Sequence, residues 1–140
     1  LHCVDIPDQP AYDRRTPARI LVLNNEDKMW NVIFLRREEN LENLSEDDIA
    51  RRIRDINGEN SLTDIISTTS RSYTLDFFGM TLELDRITGN LTRVRGWVEA
   101  NGVHISNCSP INKSQAEALF QQQIDRRDEI IKENEANRLF

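Results

Sequence analysis

The chain has 140 residues, which fits one domain, and its 24 acidic and 18 basic side chains give a formal net charge of -6. This charge argues against broad binding to nucleic acid or to anionic lipid. The longest apolar runs are four residues, far below the roughly 20 that a membrane-spanning helix needs, so we expect no membrane span.

The first predicted element is an extended arm. Residues 1–17 carry three of the four prolines, which helices and central strands tolerate poorly. We therefore divide the chain into an arm, residues 1–17, and a single α+β domain, residues 18–140, which ends in a long C-terminal helix. The chain begins with Leu1 and not with Met, and we expect it to be a processed form.

The two cysteines predict a disulfide. Cys3 lies in the arm and Cys108 lies far along the chain, which excludes a CxxC redox or zinc motif. Both cysteines stand at the ends of predicted elements, beside turn-forming residues. The alternative to a disulfide bond is two free thiols. Because disulfides persist in oxidising compartments, we expect an extracytoplasmic location, periplasmic or secreted. Four Asn-X-Ser/Thr sequons are compatible with secretion: Asn43, Asn90, Asn107 and Asn112.

Two strands and a helix follow the arm. Residues 18–24 and 29–36 are apolar on both faces and predict two buried strands. The next segment predicts a helix with Ser45 as its N-cap and Asp48 completing a capping box. Gly58 suits the left-handed position after the end of this helix. The apolar stripe of the helix consists of Ile49, Ile53 and Ile56.

The middle of the chain predicts a polar segment and then one or two strands. Residues 61–72 are rich in Ser and Thr and predict an edge segment or a loop. Apolar side chains alternate from Tyr73 to Leu84, and the apolar face switches at Gly79. A glycine at such a switch indicates either a bulge in one long strand or a tight turn between two strands.

A strand over residues 91–100 is predicted to continue into a hairpin. Asn101-Gly102 is typical of a type I′ turn, which would place Ala100 opposite Val103. In that register Cys108 falls opposite Arg95, on the outer face. The core face would consist of Val94, Val98, Ala100, Val103 and Ile105.

The outer face of this hairpin is the predicted binding surface. Arg and Trp side chains in one row are enriched at interaction hot spots, and the alternative is an ordinary charged face. The predicted binding residues are Arg93, Arg95, Trp97, Glu99 and His104.

The last predicted element is a long helix. Ser114 and Glu117 match a capping box, and Phe120 and Ile124 belong to an apolar stripe that fades in the second half. The polar second half predicts either an end that frays into solvent or an arm that docks on a partner. A second copy of the chain as that partner would give a homodimer through the C-terminal helix.

These elements predict an α+β fold. The expected architecture is one antiparallel sheet of about five strands with two helices, in the order β-β-α-β-β-β-α.

The sequence contains no constellation that predicts catalysis. Its two histidines are His2 and His104, and the nearest nucleophile to His104 is Ser106. No carboxylate pair has a fixed separation, and neither a phosphate-binding loop nor a metal-ligand spacing occurs. We therefore expect no cofactor and no metal.

The functional hypothesis is a secreted or periplasmic, non-catalytic module that binds another protein. An inhibitor, an immunity-type protein or an assembly accessory protein would fit it. The alternative is a small hydrolase-like enzyme whose site is assembled from dispersed residues near His104. A flat Trp/Arg surface would favour the module, and a deep polar pocket around His104 would favour the enzyme.

Overall fold

The structure is a computed structural model in which residues 1–6, 18–24, 26–59, 63–77, 79–95 and 103–140 are described. Eight strands form a closed antiparallel barrel in which each strand pairs with its neighbours in sequence and the first pairs with the last. The strands are β1 His2–Asp5, β2 Ala18–Asn24, β3 Met29–Leu35, β4 Thr63–Thr68, β5 Ser72–Phe77, β6 Met80–Asp85, β7 Asn90–Arg95 and β8 Val103–Ser109. A 3-10 helix, Glu38–Asn43, and two α-helices, α1 Glu46–Ile56 and α2 Lys113–Ala136, complete the elements.

The predicted sheet of about five strands with two helices is therefore wrong. Strand β1 lies within the predicted arm, whose residues 7–17 fall outside the described residues. Strand β4 lies in the polar segment 61–72. The switch at Gly79 separates β5 from β6, so the turn alternative holds, and Gly79 has a φ of 85° that suits a glycine. These additional strands are what allow the sheet to close on itself.

Strands β2 and β3 match their predicted bounds closely, and they are apolar on both faces because each face meets a different core. Leu21 and Trp30 point into the barrel, where they join an inner core. Ile20 and Ile33 point outward into an outer core beneath the helices. The inner core consists of Cys3, Leu21, Trp30, Ile65, Tyr73, Leu75, Met80, Leu82, Leu84, Leu91 and Ile105.

Helix α1 is confirmed with its predicted cap. The Ser45 side chain accepts a hydrogen bond from the Asp48 N–H, and the Asp48 carboxylate accepts from the Ser45 N–H. Gly58 follows the helix with a φ of 75°. Ile49 and Ile56 are buried in the outer core, whereas Ile53 is 43% exposed at the edge of the apolar stripe.

The N-cap of helix α2, Asn112, lies two residues before the predicted cap Ser114. Asn112 and Gln115 form the capping box instead of Ser114 and Glu117. Both pairs fit the capping-box pattern, and the structure uses the first. Phe120 is buried in the outer core, as its stripe predicts.

The second half of α2 rests on the 3-10 helix of its own chain. Arg126 pairs with Glu38, and Asn134 donates to Glu42 at 3.0 Å. Nearby, Arg127 pairs with Glu46 at the start of α1, at 3.0 Å. These polar contacts hold a helix half that has little apolar surface.

The predicted disulfide is confirmed, and it lies where the barrel closes. Cys3 of β1 and Cys108 of β8 are direct cross-strand partners with their Cα atoms 3.9 Å apart. Cys3 is fully buried. The bond therefore joins the first and last strands at the single pairing that turns an open sheet into a barrel.

The predicted register between β7 and β8 is wrong. Val103 pairs with Arg93, and His104 pairs with Thr92, with an irregularity between Leu91 and Thr92. The predicted partner of Val103, Ala100, lies outside the described residues, as does the Asn101-Gly102 turn. In the described part of the chain, no helix is long and apolar enough to cross a membrane.

We expect the disulfide to carry a large share of the stability. Replacing both cysteines, Cys3→Ala with Cys108→Ala, should lower the free energy of unfolding by about 2–5 kcal/mol, because the long loop in the unfolded chain is no longer closed. Urea denaturation measures this loss. The parent protein in reducing agent is the control and should match the double variant. Equal stability of parent and variant would refute this role of the bond.

Candidate functional site

The predicted binding residues do not form one outer row. Arg93 is 5% exposed and follows the buried Leu91 on the inner side of β7. Val94, predicted to be core, is 40% exposed. Arg95 is exposed at the strand end, while Trp97 and Glu99 lie outside the described residues. The role of these residues in binding stays a prediction.

Residues His104 and Ser106 do not form a catalytic pair. The Nε2 atom of His104 is 3.0 Å from the carbonyl oxygen of Ser106, to which it donates. The Ser106 hydroxyl is fully buried and donates to Asp5 Oδ1 at 2.5 Å. Because this hydroxyl is held by a carboxylate and is shielded from solvent, the arrangement does not present a nucleophile.

An ion pair is buried beside these residues. Arg19 is 2% exposed, and its Nη2 atom donates to both carboxylate oxygens of Asp5 at 2.8 and 2.9 Å. Burial raises the pKa of Asp5 and outweighs the opposing effects of the Ser106 hydrogen bond and Arg19. These contacts join β1, β2 and β8, the strands on both sides of the disulfide.

A pocket opens at the end of the barrel where β1 begins and β8 ends. This barrel-end pocket has a volume of about 350 Å³. Most of its lining side chains are apolar, and the disulfide forms part of its wall. The lining residues are Leu1, Leu23, Tyr73, Leu84, Asp85, Arg86, Ile87, Thr88, Gly89, Cys108, Ser109 and Pro110.

One wall of the pocket is the turn between β6 and β7, which is fixed by Asp85. Its Oδ1 atom accepts hydrogen bonds from the Ile87 N–H at 2.8 Å and the Thr88 N–H at 2.9 Å. Its Oδ2 atom accepts from Arg71. The Thr88 and Ile87 hydrogen bonds are the main reason that the pKa of Asp85 lies below its usual value. The carboxylate is thus ionised at neutral pH and keeps the turn in one conformation.

Gly89 brings this turn into contact with β8. It has a φ of 77°, and its carbonyl oxygen accepts from the Cys108 N–H at 2.8 Å. A Cβ atom at this position would lie 2.1 Å from the Cys108 carbonyl oxygen. Only glycine fits both the backbone conformation and this approach.

Two side chains shape the rim of the pocket. The guanidinium carbon of Arg86 lies 4.6 Å from the centroid of the Tyr73 ring, and its Nη1 atom donates to the Thr69 carbonyl oxygen at 2.5 Å. Ile87 is 71% exposed at the same rim. The rim therefore offers a positioned cation beside an exposed apolar side chain.

A second, smaller cleft of about 260 Å³ lies between β3 and β5 and includes Arg52 of α1. Trp30, Phe34 and Phe77 give it aromatic walls. Its lining includes Thr63 and Phe77, which adjoin the undescribed residues 60–62 and 78. We therefore base the candidate site on the barrel-end pocket, whose lining lies entirely within the described residues.

The sequence analysis did not find this pocket. Its residues come from four strands, β2, β5, β6 and β8, and from the segments beside them, so no local motif marks it. The one available signal is the segment 85–90, whose Asp, Gly and Asn residues are typical of a turn. Across the described ranges, no three His, Cys, Asp or Glu side chains are grouped so that they could hold a metal ion.

Comparison of the chain with protein-family models, with curated proteins and with solved structures finds no match. The function is therefore argued from the geometry of the site.

We expect Gly89→Ala to be far more damaging than Gly58→Ala. Both glycines have left-handed backbones, but an added Cβ meets nothing within 4 Å at Gly58 and meets the Cys108 carbonyl at Gly89. Gly58→Ala should lower the free energy of unfolding by about 1–2 kcal/mol, and Gly89→Ala by about 2–5 kcal/mol. Thermal and urea denaturation measure both. Equal losses would show that the turn can move away from β8.

Asp5 and Arg19 should stabilise the folded protein only when both are present. Asp5→Asn should lower the free energy of unfolding by about 3 kcal/mol, because it removes the carboxylate that neutralises the buried Arg19. Adding Arg19→Met should recover part of this loss, since the buried charge is then removed as well. Urea denaturation of both variants tests this, and a double variant no more stable than Asp5→Asn alone would contradict it.

Proposed function

We propose that the protein is a non-catalytic binding protein of an extracytoplasmic compartment, and that it holds a small, mainly apolar ligand in the barrel-end pocket. The observation that carries this proposal is the pocket itself. Eight-stranded barrels have interiors that are either filled by side chains or wide enough for one small ligand. A volume of about 350 Å³ falls within the usual range of ligand pockets.

The preformed walls of the pocket support the same proposal. The disulfide fixes Cys108 on one side, and the Asp85 hydrogen bonds fix the turn that lies next to it. A pocket that is already in shape requires little reorganisation when a ligand binds, which favours affinity. Apolar side chains such as Leu23 and Leu84 supply the surface that an apolar ligand would cover.

The compartment is inferred from the chemistry of the cysteines. A disulfide persists where the medium is oxidising, as in the periplasm or outside the cell. Both cysteines of the chain are in this bond. This chemistry supports the proposed location outside the cytoplasm.

Binding to a protein partner remains a separate proposal. Arg95 is exposed and could take part, but the predicted Trp97 and Glu99 are not described. A homodimer through α2 would use Leu139, which is 89% exposed, and the neighbouring Phe140. The enzyme alternative is weakened because the Ser106 hydroxyl is buried and held by Asp5.

The test is an NMR titration of the protein with octan-1-ol, a ligand of about nine non-hydrogen atoms. We expect saturable binding with a dissociation constant on the order of 1 mM or below. The shifted amide signals should be those of residues around the pocket, including Leu23, Leu84 and Gly89. Scattered shifts without saturation would refute the proposal.

Two matched pairs of variants locate the site. Leu23→Trp should fill the pocket and weaken binding about tenfold or more, while Leu139→Trp at the exposed terminus should not. Ile87→Ser should weaken binding a few-fold, whereas Ile66→Ser, at an exposed position on β4, should have no effect. Because Ile87 and Ile66 are both exposed, this second pair remains informative if Leu23→Trp fails to fold.

A further inference from the structure

The two charged side chains in the lining of the barrel-end pocket differ in what they can offer a ligand. Both carboxylate oxygens of Asp85 are already used, one by the Ile87 and Thr88 N–H groups and the other by Arg71 at 3.2 Å. A cationic ligand group would therefore have to compete with contacts that hold the wall together.

Arg86 is held in place without a carboxylate partner in the described part of the chain. The Tyr73 ring covers its guanidinium at 4.6 Å, and the Thr69 carbonyl oxygen accepts from Nη1 at 2.5 Å. Neither contact uses its Nε or Nη2 atom. A guanidinium whose orientation is already fixed loses less conformational freedom when it binds an anion.

We propose that the ligand is a medium-chain monocarboxylate, and that Arg86 binds its carboxylate while the apolar lining takes its chain. This inference rests on the proposed function. The guanidinium group matches a carboxylate in geometry and charge, and such charge-assisted hydrogen bonds are stronger than neutral ones. Leu23, Leu84 and Ile87 offer the apolar surface for the chain.

The size of the pocket guides the choice of chain length. A volume of about 350 Å³ corresponds to about a dozen water molecules at ~30 Å³ each. A carboxylate with about eight carbon atoms has a similar bulk. A much longer chain would have to extend out of the barrel past Ile87.

Three ligands with the same eight-carbon chain test the inference: octanoate, octan-1-ol and octylammonium. NMR titrations near neutral pH should show octanoate binding about tenfold more tightly than octan-1-ol, and octylammonium binding more weakly than either. In Arg86→Met the affinity for octanoate should fall to that for octan-1-ol, while the affinity for octan-1-ol stays unchanged. Arg86→Lys should retain part of the preference for octanoate over octan-1-ol, since lysine keeps the positive charge but lacks the paired N–H groups of the guanidinium.

The control is Lys113→Met, which removes one positive charge from an exposed position that does not line the pocket. It should leave all three affinities unchanged. Arg86 is exposed in a turn, so its variants should give the amide spectrum of a folded protein.

The outcomes separate the two proposals. If octanoate and octan-1-ol bind the parent equally, or if Arg86→Met leaves the preference for octanoate intact, the role of Arg86 is refuted and the apolar pocket stands. If neither octanoate nor octan-1-ol binds saturably, both proposals are refuted. A preference for octanoate that is lost equally in Lys113→Met would also refute the inference, because it would reflect net charge alone.

Discussion

Pairing between β1 and β8 is the contact on which the rest of the structure depends. Without it, both strands would be edges with unpaired backbone groups, and the apolar side chains inside the barrel would face water. Two links cross this seam, the Cys3–Cys108 disulfide and the Ser106–Asp5 hydrogen bond, and Asp5 also forms an ion pair with Arg19. The ion pair extends the connection to β2, so that three neighbouring strands are tied together from the inside of the barrel.

Closure also explains why the chain has two cores. The barrel wall separates an inner core from an outer one, and β2 and β3 contribute to both. The first half of α2, with Phe120, covers the outer face of these strands, and the Gln123 side chain exchanges hydrogen bonds with the Arg36 backbone at 2.7 and 3.3 Å. Helices are thus needed only on this side of the barrel, because most of the other strands bury only the face that points into the barrel.

The candidate pocket is a consequence of the same closure. Cys108 takes part in the disulfide and in the pocket wall, and its backbone N–H donates to the carbonyl oxygen of Gly89 in the turn between β6 and β7. Loss of the seam would therefore alter the pocket as well as the stability. Inside the barrel, Asp5 binds both Ser106 and Arg19 and so serves closure, whereas Arg86 lies at the rim of the pocket, where we propose that it meets a ligand.

Local patterns in the sequence determined α1 with its cap, the strands β2 and β3, and the pairing of the two cysteines. The helix cap depends on side chains that interact over a few residues, and the two strands depend on their apolar faces. The pairing of the cysteines follows from there being only two thiols. Only the tertiary structure decided that β1 and β4 are strands, since both are short and gain their stability from partners distant in sequence. It also decided that Arg93 faces inward and Val94 outward. The pairing of β7 with β8 in the closed barrel determines which side chains of β7 face the core. The alternation of polar and apolar residues along β7 alone does not encode this pairing.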